Sequence, residues 1–239
     1  MYQIETRIGY SQLDSKGTLS PAAVIDLFQD CSNFQSMSIG EDVEFFKRIH
    51  RAWILSSWQI IFDELPGLGE EVVVSTAAYK FTSMFGLRNF QLATKAGKVL
   101  AKANSNWVYV DADTKKPLRI TDDIGKPYYT GDEPLDMEYA SRKVPVPKEL
   151  ETGKEFPVMK YHLDTNNHVN NACYVQFALE YVPENFKIRQ MRVEYRQSAV
   201  YGDVILPYYF CGDASTTVVL KNREDGSTFA VVLIEGGEN

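Results

Sequence analysis

The chain repeats itself, and that constrains its fold more than any other feature. Tyr10-Ser11-Gln12-Leu13-Asp14 precedes one predicted helix, and Tyr161-His162-Leu163-Asp164 precedes another. Asp14 and Asp164 stand 150 residues apart (164 − 14), as do Leu19 and Val169 (169 − 19). Gly69-Glu70 and Gly202-Asp203 correspond at 133 (202 − 69), the difference being an extra short helix and its flanks in the first copy. A chain of 239 residues that repeats one order of elements has room for two units, each burying its own sheet and helix.

The local signals fill in both copies. Ser20 is placed as an N-cap with Pro21 at the first helical position. Ala23, Leu27, Cys31 and Phe34 then recur at helical spacing until Gly40, and a short helix is predicted over Asp42 to Ile49. Strands are predicted over Trp53 to Phe62, Glu71 to Phe81, Met84 to Thr94 and Val99 to Val110, separated by turn residues such as Pro66-Gly67-Leu68-Gly69. Four prolines and three glycines between 121 and 155 read as a linker running over the surface. The order then restarts, with a strand over Phe156 to His162 and a helix over Asn170 to Tyr181. Strands follow over Phe186 to Gln197, Val204 to Cys211, Ser215 to Lys221 and Ser227 to Glu235. The expected fold class is α+β: two tandem hotdog folds, each a curved antiparallel β-sheet wrapped around a central helix. The first spans 1–120, the linker 121–155 and the second 156–239. Two fused copies form in one chain what is otherwise a homodimer.

Charge and thiols narrow the partners. A net charge of −7 argues against nucleic acid and means that an acidic partner would need a local basic patch. Lys187, Arg189, Arg192 and Arg196 are the candidate patch, and a solvated strand face is the plainer reading. Three widely spaced cysteines without a CxxC pair, and only three histidines, give no disulfide framework or metal site to expect. No apolar run approaches the ~18 residues that span a bilayer. The first residues alternate like a strand rather than like a targeting peptide, so a soluble, cytoplasmic protein is expected.

The chemistry concentrates in His162-Leu163-Asp164-Thr165-Asn166-Asn167-His168-Val169-Asn170-Asn171, at a strand-to-helix junction. Asn171 is placed in the first helical turn, where unpaired N–H groups would polarise a carbonyl oxygen. His168 is a candidate to bind or activate water. Asp164 is a candidate to activate that water or to attack the carbonyl itself, and Asn166 to orient either. The first copy keeps Asp14 but has Gly17, Thr18, Ser20 and Pro21 where the second has Asn167, His168, Asn170 and Asn171. Two readings stand at this point. One is a water-activating cluster; the other is a polar loop in which Asp164 and Asn170 cap the helix. Cys173, inside the second helix, reads as a buried free thiol rather than a nucleophile.

The stretch Leu163 to Phe186 resembles the segment of acyl-acyl-carrier-protein (acyl-ACP) thioesterases that carries Asp, Asn and His at alternate positions, here Asp164, Asn166 and His168. Trp107-Val108-Tyr109-Val110-Asp111 with Thr114 to Leu118, and Glu194-Tyr195-Arg196, resemble further strand motifs of that family. The resemblance implies a double hotdog, fatty acyl-ACP as substrate, hydrolysis to free fatty acid, no cofactor, and an acyl tunnel mainly in the first half. Ala23 and Leu27, with Trp58, are the expected tunnel lining. Trp53, Trp58 and Phe62 are expected to pack on Leu27 and Phe28. Plant members carry a Glu and a Cys where this chain has Ser198 and Ala199; Ser198 is a candidate to hold a water. A second copy of the chain is a further candidate partner. The competing readings are a hotdog acyl-thioester dehydratase and a non-catalytic acyl-thioester-binding protein.

Overall fold

The alternation of the first residues builds an edge strand: β1 (Tyr2–Arg7) shows every second side chain to solvent and pairs antiparallel with β3 (Glu71–Phe81). A computed structural model describes residues 1–238; Asn239, the last residue of the expected second unit, lies outside them. Two units are present. The first holds Met1–Ser56 and Phe62–Ala140, the second Ser57–Ile61 and Ser141–Asn239.

In the first unit the strand order is β1-β3-β4-β5-β2, with β2 at Arg51–Phe62, β4 at Gly86–Thr94 and β5 at Val99–Asp111. Helix α1 (Pro21–Ser38) lies against β3 and β1. It starts where the sequence places it, with Ser20 Oγ accepting the Ala23 N–H at 3.1 Å. Val24, Ile25 and Phe28 are fully buried, and the Phe28 ring sits 5.2 Å from Phe90 of β4. Trp53 packs on Phe81, Tyr109 and Tyr128. A short α2 (Val43–Arg48) is capped by Asp42.

The second unit repeats the arrangement. The Ser57–Ile61 stretch of β2 pairs with β8 (Phe186–Tyr195), followed by β11 (Thr228–Glu238), β10 (Ser215–Asn222) and β9 (Val204–Cys211). Helix α4 (Asn171–Leu179) contacts β10 and β11. Each unit is thus an antiparallel sheet with one principal helix against it, the hotdog arrangement. One expected strand differs. Residues 156–162 give only β7 (Phe156–Pro157) and then a 3-10 turn over Lys160–His162. The His162 ring draws the chain round by accepting the Met159 N–H on Nδ1 at 3.0 Å.

Residues 121–155 hold a four-residue α3 (Asp122–Gly125), a 3-10 turn at Lys126–Tyr128 and β6 (Glu151–Thr152). Within the first unit, the Leu135 N–H and the Tyr139 hydroxyl both donate to Asn89 Oδ1 at 3.0 Å. Within the second, Arg192 Nη2 donates to the carbonyls of Ser141 and Lys143, and Glu194 Oε2 accepts the Val144 N–H. Val144 is buried with Val219, Val231 and Leu233.

Candidate functional site

The segment ahead of α4 folds as a tight loop closed on itself. The Asp164 N–H donates to the His168 carbonyl at 2.8 Å, and Leu163 bridges Val169. One carboxylate oxygen of Asp164, Oδ1, accepts the N–H groups of Asn166 at 2.8 Å and His168 at 3.2 Å. Asn167 takes the left-handed conformation that the turn requires, with φ 59°. Asn170 caps α4 by accepting the Ala172 N–H at 2.9 Å, and α4 begins at Asn171 as expected.

Every one of these backbone features has a counterpart ahead of α1. The Asp14 N–H donates to Thr18 O at 2.8 Å, and Asp14 Oδ1 accepts the N–H groups of Lys16 and Thr18. Gly17 has φ 80°, Ser20 caps, and Gln12 Oε1 accepts the Gly9 N–H as His162 accepts that of Met159. The Leu19 N–H donates to Pro66 O, and the Val169 N–H to Ala199 O. The capping reading therefore accounts for Asn170 and for Oδ1 of Asp164. It also accounts for His162, which anchors the loop; burial holds its imidazole below the ordinary histidine value.

What the capping reading leaves over is specific to the second loop. Asp164 Oδ2 accepts no hydrogen bond among the described residues, and the half-buried His168 ring makes none either. The Asn166 side chain is exposed and likewise makes none. Asp164, Asn166 and His168 thus share one turn, without a side-chain hydrogen bond joining them. Ser198 lies across from the capping end of the same loop. His168 bridges Val200 antiparallel, so the same register sets Asn170 across from Ser198, which is exposed.

The tertiary structure adds residues that spacing alone does not single out. The buried Tyr174 of α4 accepts the Ala199 N–H on its hydroxyl at 2.8 Å and so holds the 198–200 segment against the loop. The first-half counterparts are Val24 and Pro66. Proline has no N–H to satisfy, and there the helix supplies no hydroxyl. Asp203 Oδ2 accepts the Val200 N–H, as Glu70 Oε1 accepts that of Gly67.

Other expectations divide. Ala23 and Leu27 lie one turn apart on α1, both buried, in the first unit; Trp58 is buried in the second, opposite Val193 of β8. Cys173 is half-buried rather than buried, its thiol 3.7 Å from the His162 carbonyl. The basic run is split. Arg192 holds the 141–143 carbonyls and Arg196 pairs with Glu194 at 3.2 Å, while Lys187 and Arg189 are exposed. Burial raises the Glu194 carboxyl, but Arg196 and the Val144 N–H outweigh it and hold its pKa below the usual range. A cavity of about 440 Å³ opens in the second unit beside His162, Phe177 and Tyr181. Among the described residues no group of three or more His, Cys, Asp or Glu converges as a metal site, and no helix is long and apolar enough to cross a membrane.

A helix against an antiparallel sheet, twice in one chain, with an Asp/Asn/His turn in the second copy, defines a tandem hotdog protein. The chain belongs to the acyl-ACP thioesterase family: the acyl-ACP thioesterase N-terminal domain matches residues 1–128 and the C-terminal domain residues 146–235. Oleoyl-acyl carrier protein thioesterase 1, chloroplastic, of Arabidopsis thaliana is 23% identical over 217 residues, covering 81% of this chain and 59% of that protein. The chain spans about half the length of the curated relatives it matches. The acyl-ACP thioesterase from Bacteroides thetaiotaomicron superimposes with a TM-score of 0.85 at 22% identity, covering 98% of this chain and 96% of that one. The 12:0-ACP thioesterase from Umbellularia californica does so at 0.83 and 20%, covering 100% and 97%. These two likenesses show a shared fold.

Proposed function

We propose that this chain is a hydrolase that cleaves fatty acyl-ACP to free fatty acid and carrier protein, and so ends or diverts fatty acid synthesis. One observation carries the reading. The second loop keeps the first loop's backbone hydrogen-bond pattern but replaces Thr18, whose hydroxyl donates to both oxygens of Asp14, by His168, leaving Asp164 Oδ2 and the His168 ring without a hydrogen-bond partner among the described residues, with Asn166 beside them in the turn. A structural turn needs neither His168 nor Asn166, since the first copy folds without them.

In this reading a water held by Asp164, Asn166 and His168 attacks the thioester carbonyl. A proton passes from the water to Asp164 or His168 as the C–O bond forms; the C–S bond then breaks, the same group returns the proton to sulfur, and the carrier leaves with its prosthetic arm as a thiol. Ser198, across from Asn170, takes the place of the family's Glu as a water-holding hydroxyl. The acyl chain lies in the apolar interior of the first unit, along Ala23 and Leu27 of α1. The carrier meets the exposed Lys187 and Arg189. The reaction needs no cofactor, and the free thiols and acidic charge suit the cytoplasm.

The test is to incubate purified protein with acyl-ACP of several lengths and follow free thiol and free acid. Release of both in equal amounts supports the hydrolase. A 2-enoyl product without thiol release makes it a dehydratase, and binding without turnover makes it an acyl-thioester-binding protein. Single-turnover hydrolysis in ¹⁸O-water tests for attack by Asp164: label in the Asp164 carboxylate reveals an acyl anhydride opened at that carbon, whereas direct attack by water puts label in the fatty acid alone. Light scattering during turnover decides whether the active species is one chain or a homodimer.

A further inference from the structure

The inner face of the first unit changes character along its length. Paired residues of neighbouring antiparallel strands share a face, so the register defines successive rows. Val74, Leu92 and Ala101 form one row; Thr76, Phe90 and Ala103 form the next; Ala78, Arg88 and Ser105 form the third. Phe90 meets Phe28 of α1, which sets this face toward the helix. The rows are almost wholly apolar until Arg88.

Arg88 then spans the space between sheet and helix. Its Nη1 donates to Gln35 Oε1 of α1 and, at 3.1 Å, to Thr76 Oγ1 of β3. Its guanidinium lies 5.5 Å from the ring centroid of Tyr128. The residue is 7% exposed, and among the described residues no carboxylate comes within ion-pair distance of it. Burial lowers its pKa to about 10. Its Nε and Nη2 donate to no protein acceptor among the described residues. Gln35 is the far rung of a stripe on α1 that begins with Ala23, Leu27 and Cys31, all buried; from Ala23 to Gln35 the helix rises about 18 Å.

Resting on the acyl-thioester reading above, we propose that Arg88, held by Gln35 and Thr76, is the specificity-determining residue that ends the apolar path open to the acyl chain. The physical reason is the pair of free guanidinium donors. A hydrocarbon end pushed against them would strip their hydration and return no hydrogen bond, which costs more than the last methylenes gain. Chains short of Arg88 gain with every methylene buried, and longer ones do not.

The experiment measures kcat/KM across saturated acyl-ACP of increasing length, and separately the binding of free fatty acids of the same lengths by thermal shift. It compares the parent with Arg88→Met, Arg88→Met/Gln35→Leu and Arg88→Lys. The parent should show a sharp upper limit. Arg88→Met and the double variant should move it to longer chains, by about fourfold in relative kcat/KM per added methylene. Arg88→Lys, which keeps a buried cation, should retain the parent limit. A folded Arg88→Met and a folded double variant with the parent's length profile would overturn the proposal, and so would a parent without any limit in binding. If Arg88→Met does not fold, the double variant, which leaves no orphaned Gln35 acceptor, decides. A parent that hydrolyses no acyl-ACP yet binds fatty acids up to the same Arg88-dependent limit would refute the hydrolase and leave this assignment standing.

Discussion

Ahead of α1, one oxygen of Asp14 gathers the N–H groups of Lys16 and Thr18; ahead of α4, one oxygen of Asp164 gathers those of Asn166 and His168. The two loops share their φ-positive position, their cap and their bridge to a later segment. They differ in what stands on that frame: Thr18, Ser20 and Pro21 in one, His168, Asn170 and Asn171 in the other. An aspartate in such a loop is therefore no sign of catalysis by itself, because turn geometry explains it twice. The sign is the second oxygen and the imidazole that the turn does not use.

The strongest break of this comparison replaces each aspartate by asparagine. An amide oxygen can still accept both N–H groups, so each loop should keep its shape. Asp164→Asn should lower kcat by about 10² to 10⁴-fold, and Asp14→Asn should leave turnover unchanged. Steady-state kinetics with a melting curve checks both. Equal losses from the two variants would reduce Asp164 to a turn residue.

Next comes the imidazole. His168→Gln should cost about 10²-fold in kcat with the fold retained. Thr18→His, which gives the first loop the same ring, should not restore turnover to that variant. Recovery of activity would mean that the halves are interchangeable and that their asymmetry carries no meaning.

Tyr174 and Ala199 against Val24 and Pro66 make a smaller contrast. Tyr174→Phe orphans the buried Ala199 N–H and should destabilise the protein by about 1–2 kcal/mol. Denaturant unfolding measures it. The same variant should lower kcat more than it changes KM, since the 198–200 segment borders the loop and not the acyl path. A drop in stability with kinetics untouched would detach that segment from the site.

The smallest effect concerns the helices themselves. Asp26 of α1 has Gln176 as its counterpart in α4. Burial, and then the neighbouring Asp30, raises the Asp26 carboxyl from 3.8 to about 6. The folded state thus holds a proton that the unfolded state has lost. Stability is fully present below the unfolded value and falls as pH rises towards about 6. Asp26→Asn should remove that fall. It should gain on the order of 1 kcal/mol at pH 7.5, after discounting for partial exposure, and nothing near pH 3. Melting curves across that range test the sign.

The amino-acid sequence by itself determined the repeat, the order of elements and the place of the polar cluster. These rest on short-range chemistry: a Ser-Pro helix start, period-two strands and Gly turns all act within a few residues. The same locality explains one misreading. Residues 156–162 alternate like a strand, yet the His162 ring folds them into a 3-10 turn. Only the tertiary structure separated the residues of the cluster from one another. It assigned His162 and Asn170 to the frame, left the His168 ring and one oxygen of Asp164 without a hydrogen bond among the described residues, and set Ser198, from the segment after β8, across from Asn170. It also buried Arg88 against Gln35, 53 positions away, though Arg88 in sequence is one charge among many on an ordinary strand. Which atoms of a polar side chain are already satisfied depends on partners far off in the chain, and spacing carries no information about them.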